Sequence, residues 1–178
     1  MNNPSAASDE LYFVTITVIN WIAVFIRREY KDFLVDQLEH CQKNKGLKIY
    51  AYVIMSSHLH LVCSSDENLK LSDILRDFKT YTSKEMIKKI QNNSGESRRE
   101  WMLELFFSAG KSNSLNKKYQ FWQNGNMPVV LPLQYPNMID QKINYIHENP
   151  VREGIVLESE DYYYSSACIQ SPIKVEEI

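Results

Sequence analysis

The sequence predicts an α+β fold, a ferredoxin-like sandwich on an antiparallel sheet of four to five strands with helices on one face. Three observations carry this expectation. Apolar residues alternate with a period of two in some segments and recur every three to four residues in others. These segments follow one another in the order β, α, β-β, α, α, β, α. Finally, two strand-like runs are separated only by the Ser56-Ser57 region, which reads as a β-hairpin and therefore as antiparallel pairing.

Leu11 to Val18 (LYFVTITV) is rich in β-branched and aromatic residues, with Tyr12, Val14, Ile16 and Val18 on one face, so it reads as a strand. From Arg28 to Asn44 the period changes: Tyr30, Phe33, Leu34, Leu38 and Cys41 mark an amphipathic helix, and Gly46 supplies its stop. Lys48 to Met55 and His58 to Cys63 form the hairpin, and their near-continuous apolar content places both strands mid-sheet. Leu69 to Gln91 returns to helical spacing through Leu71, Ile74, Leu75, Phe78, Met86 and Ile90. A further helix runs from Glu96 to about Ser108. FWQNGNMPVVLPL at 121–133, with Gly125, Pro128 and Pro132, fits a turn plus a short edge strand. The last helix spans Ile139 to Asn149 and stops at Pro150. The expected organisation is an N-terminal arm (1–10), one domain (11–168) and a C-terminal tail (169–178).

Composition narrows the class. At 178 residues, with 44% apolar residues, five Gly and six Pro, the chain is one globular domain with enough material for a core, and not a collagenous or disordered chain. The polar, acidic start lacks a secretory signal, and the longest apolar stretch, Phe13 to Ile26, is too short and too polar to span a bilayer. A cytoplasmic protein without membrane partners is expected. Cys41, Cys63 and Cys168 are odd in number and far apart, so they read as reduced thiols rather than a disulfide framework.

Two constellations carry chemistry. In the strand HLHLVC at 58–63, His58 and His60 share one face while Leu59, Leu61 and Cys63 share the other. Paired imidazoles directly after a tight turn suit metal binding. Zinc would want a third nitrogen or sulfur, and Cys63 points the wrong way, so a harder ion with mixed N/O ligands, Mg2+ or Mn2+, fits better. In the last helix, Tyr145 and Asn149 stand at i and i+4 with Lys142 one turn earlier, so a phenol, an amide and an ammonium project together.

His58-Leu59-His60 after a strand, FWQNG at 121–125 and YIHENPVREGIV at 145–156 together resemble the single-tyrosine transposases of the HUH (His-hydrophobe-His) superfamily, including the REP-associated tyrosine transposases. The resemblance runs from about Leu11 to Ser166. It implies a tyrosine-bearing helix lying over the histidine face, and an enzyme that cuts and rejoins single-stranded DNA, often beside a hairpin. By this resemblance Tyr145 is the nucleophile that forms a 5′-phosphotyrosine, and His58, His60 and Asn149 hold Mg2+ or Mn2+. The relatives work either as homodimers or as monomers. Two positions depart from the family's pattern: Met127, where relatives carry His, and Glu148, where they carry a neutral residue. A competing tyrosine, Tyr81, falls after Ile74 and Phe78 on a helical apolar stripe, so packing accounts for it.

The net charge of −2 conceals an uneven distribution. Between Arg76 and Lys118 there are ten basic and five acidic residues, a net +5, which leaves −7 for the rest. Lys79, Lys84, Arg98, Arg99, Lys117, Lys118 and Lys142 are the candidate contacts to a DNA backbone, with Trp122 the aromatic expected to stack on an unpaired base. Two other readings remain open from the residues: a catalytically lapsed single-strand binder of the same fold, and a zinc hydrolase with a further ligand.

Overall fold

The computed structural model describes residues 10–113, 118–125 and 128–178. Four strands form one antiparallel sheet in the order β2-β3-β1-β4, with β1 at Leu11–Thr17, β2 at Leu47–Ile54, β3 at His58–Ser65 and β4 at Val129–Leu131. Helix α1 (Arg28–Lys45) follows β1, α2 (Leu71–Asn92) and α3 (Arg99–Lys111) follow the hairpin, and α4 (Pro136–Arg152) follows β4. This is the expected α+β sandwich.

Helix α1 buries the predicted stripe of Tyr30, Phe33, Leu34, Leu38 and Cys41. It ends at Gly46, whose left-handed φ of 69° lets its N–H reach the Cys41 carbonyl. A Cβ there would also meet the side-chain ends of Leu69 and Asp66, which would have to shift. The hairpin then returns through Met55, whose N–H donates to the His58 carbonyl at 2.8 Å. Its tip is clamped from outside: the Val18 and Phe25 N–H groups donate to the carbonyls of Ser57 and Ser56.

The sheet is covered on both faces. Helix α4 lies across β2 and β3 on the face that carries His58 and His60. Helices α1 and α2, packed on each other, close the opposite face, where Val14, Ile16, Leu59, Leu61 and Cys63 are fully buried. Burial of large apolar side chains such as Tyr30, Phe33, Leu34, Phe78 and Ile146 drives this assembly, at roughly 1.5–3 kcal/mol each.

Three sequence expectations change. Strand β2 lies at the sheet edge, not mid-sheet. It reads as a buried strand because the C-terminal segment runs along its open side: the Ile54 N–H donates to Tyr164, the Ser166 N–H to Tyr52 and the Glu176 N–H to Ile49. Ile173 of the expected tail is buried against the body. Helix α4 begins earlier, with Pro136 in its first turn, and continues through Pro150 to Arg152, since a proline in the final turn forfeits only one backbone bond. Tyr81 is 52% exposed on α2, so packing does not account for it. Among the described residues no helix is long and apolar enough to cross a membrane.

Candidate active site

The antiparallel register of β1 on β3 builds the site. It sets Thr17 opposite His58, Thr15 opposite His60 and Phe13 opposite Val62, so all six side chains share the α4 face. The Thr15 hydroxyl lies 2.8 Å from Nδ1 of His60, and the Ser57 hydroxyl lies 3.2 Å from Nδ1 of His58. With Nδ1 of each ring held by a hydroxyl, Nε2 is the nitrogen left for a ligand.

Both imidazoles are nearly inaccessible, and their protonation follows from that. Burial lowers the pKa of His60 to about 3, assisted by the neighbouring His58 and Lys142 charges. Burial also lowers that of His58, against the opposing carboxylate of Glu153. At neutral pH both rings are therefore uncharged, with a lone pair to offer. Their centroids are 4.8 Å apart.

Helix α4 brings its tyrosine to the same place. The Tyr145 ring stands edge-on to His60 at 5.3 Å and edge-on to Phe13 at 5.9 Å. Two cations flank it: Lys142 Nζ lies 5.9 Å and the Arg152 guanidinium carbon 5.5 Å from the ring centroid. Asn149 is buried one turn after Tyr145 on the same helix. Among the described residues no group of three or more His, Cys, Asp or Glu is placed to hold a metal ion. On this face the structure brings together the His58 and His60 imidazoles and the Tyr145 ring.

The other candidate contacts fare unevenly. Trp122 does not reach the surface. It is 4% exposed, packs 4.7 Å from Phe121 and 5.7 Å from Phe25, and donates its indole N–H to Thr82 at 3.0 Å. Its loop is pulled inward because Trp122 bridges to Val18 and the Gln123 N–H donates to the Thr17 carbonyl. Arg98 is likewise structural: it pairs with the buried Glu96 and donates to the Ala23 carbonyl at 2.8 Å. Lys79 donates to the Gln123 carbonyl, while Lys84 and Lys118 are exposed and Arg99 is half-buried at the start of α3. Lys117 and Met127, and residues 1–9 of the expected arm, lie outside the described residues. A groove of about 920 Å³ runs between α2 and residues 118–124, edged by Arg76, Lys79, Lys84, Lys88 and Lys118 and separate from the histidine pair.

Thr15, Ser57, Trp21 and Arg152 belong to this site and were not anticipated. Ser57 precedes His58, and Arg152 lies seven residues, two helical turns, beyond Tyr145, so spacing held a signal for both. Thr15 and Trp21 become neighbours of the histidines only through the pairing of β1.

The family model described as "Transposase IS200 like" matches residues 8–119, which include the histidine strand. The chain belongs to the IS200-like transposase family. Its fold agrees with that of a REP-associated tyrosine transposase solved bound to a REP hairpin, at a TM-score of 0.62 and 15% identity over 93% of this chain and 81% of that one. A candidate transposase from Deinococcus radiodurans R1 is 17% identical over 83% of this chain and 98% of its own, at a TM-score of 0.43. No curated protein matches this transposase. The family match ends before α4, so Tyr145 is placed at the histidines by the fold rather than by that match.

Proposed function

We propose that this transposase is a metal-dependent single-strand DNA endonuclease and strand transferase, with Tyr145 as nucleophile and hairpin-flanked DNA as substrate. The observation that carries the reading is the contact of Tyr145 with His60, with Lys142 and Arg152 on either side of the phenol ring. The Tyr145 oxygen attacks the scissile phosphorus and the P–O3′ bond breaks. The phenol gives up its proton to solvent as it attacks, the departing O3′ takes one up as a 3′-hydroxyl, and the phosphate remains as a 5′-phosphotyrosine. The ester conserves the energy of the broken bond, so a second 3′-hydroxyl can reverse the step on another strand.

The chain's own residues bind and orient. Lys142 and Arg152 attract the phosphate that must approach the phenol, and Phe13 and His60 hold the ring at its edges. His58 and His60 fit a divalent ion through Nε2, because both rings are neutral and their Nδ1 atoms are held by hydroxyls; Asn149 would add an oxygen. When bound, Mg2+ or Mn2+ supplies neutralisation of the charge that builds on the non-bridging phosphate oxygens. The basic groove beside α2 offers a path for the DNA backbone, although Arg76 and Lys88 are paired there with Asp73, Asp77 and Glu85. Hairpin DNA as the substrate follows from likeness to the REP-hairpin complex.

The test is covalent capture. Incubated with single-stranded hairpin DNA and Mn2+, the protein should yield a denaturation-resistant protein–DNA adduct that Tyr145→Phe abolishes. An adduct that survives this substitution overturns the nucleophile. No adduct on any hairpin drawn from the DNA flanking the gene overturns the enzymatic reading.

A further inference from the structure

The turn after β1 adopts a backbone conformation that side chains rarely tolerate. Asn20 and Trp21 are both left-handed, with φ of 53° and 56°. The turn is nevertheless firmly held: the Ile19 N–H donates to the Phe121 carbonyl, the Trp21 N–H to Val18 and the Ile22 N–H to Ile19. Ile22, Val24 and Phe25 beyond it are buried, whereas the Trp21 indole is 58% exposed. The fold thus fixes an unfavourable backbone in order to hold a large aromatic in solvent.

Where that aromatic stands suggests its use. Trp21 lies edge-on to His58, with centroids 5.3 Å apart. His58 contacts His60 and His60 contacts Tyr145, so Trp21 ends a row of rings that begins at the phenol. Tyr81 and Trp101 are comparably exposed, but on regular helices. An unpaired base presents a π face to such a platform, whereas a base within a duplex is already stacked.

We propose that Trp21 is a binding residue on which an unpaired DNA base stacks, next to the phosphate that Tyr145 attacks. This rests on the strand-transfer reading above and adds to it the feature that selects single-stranded over duplex DNA at the site.

Binding of a fluorescein-labelled oligothymidylate, measured by anisotropy in EDTA so that no cleavage intervenes, tests it. Trp21→Ala should weaken binding by at least about five-fold, with Trp21→Phe recovering most of the loss and duplex binding equal in all three proteins. A smaller loss in the alanine variant overturns the proposal. A loss in Trp21→Phe as large as in Trp21→Ala overturns stacking in favour of an indole hydrogen bond. Trp21→Gly separates platform from scaffold: glycine relieves the left-handed strain, so the melting temperature should hold or rise while binding falls. A melting temperature lowered by several degrees assigns the indole to the fold and overturns the proposal. The adduct assay keeps the two readings apart. A protein that binds through Trp21 but forms no adduct refutes strand transfer alone, and an active protein indifferent to Trp21→Ala refutes only the platform.

Discussion

Tyr145 stands edge-on to His60 of its own chain, the ring planes at 70°. Helix α4 reaches this position by lying across β2 and β3, the strands of the hairpin that delivers the histidines. The proposed nucleophile and the imidazoles thereby meet within one chain. A mixture of Tyr145→Phe and His60→Ala, each expected to lose adduct formation by on the order of a thousand-fold or more, should remain without adduct. Recovery in the mixture would mean that the tyrosine helix is exchanged between two copies.

The Thr15 hydroxyl holds the His60 ring, and Thr15→Val keeps shape and strand propensity while removing that hydroxyl. Mn2+ affinity, read by titration calorimetry, should fall by about 10–100-fold, with the melting temperature changed by no more than a few degrees. Unchanged affinity would remove Thr15 from the metal-orienting role.

Glu96 is a buried carboxylate between Arg27, at 2.7 Å, and Arg98, at 3.0 Å. Burial pushes its pKa up, but the hydrogen bonds and charges of Arg98 and Arg27 outweigh that and hold it below the ordinary 4.5. A depressed carboxylate stabilises the fold fully above the unfolded value, and the contribution fades as pH falls below about 4.5 toward the folded one. Glu96→Gln should destabilise the protein by on the order of 3 kcal/mol at pH 7, and the difference from the native protein should narrow on acidification. Chemical denaturation at pH 7 and pH 4 measures both. A difference independent of pH would contradict the ion-pair account.

Trp122→Ala should cost about 3–5 kcal/mol, since the indole is packed among Phe25 and Phe121 and bonded to Thr82. At about 2–4 °C per kcal/mol for a chain of this size, the melting temperature should drop by roughly 10 °C. Oligonucleotide binding per folded molecule should be unaffected. Weakened binding with an unchanged melting temperature would place this indole on DNA after all.

Much of the molecule is legible in local patterns. Period-two and period-four spacing locate β1, the hairpin and the helices, because side-chain direction follows directly from backbone geometry. His58 and His60 share a face for the same reason, and Tyr145, Lys142 and Asn149 share a helix surface. These placements need no knowledge of any other element. What the sequence leaves open is everything that depends on pairing between distant segments. The register that sets Thr15 against His60 across 45 residues, the inward pull on Trp122 and the covering of the β2 edge by residues 164–176 arise from contacts far apart in the chain. An aromatic in a glycine-containing loop looks exposed until its loop pairs with a strand, and Trp21, within the apolar stretch from Phe13 to Ile26, stands in solvent on a left-handed backbone. Local spacing therefore determines which chemical groups this protein presents on each element. Tertiary packing alone decides which of them meet, because that depends on register and burial rather than on propensity.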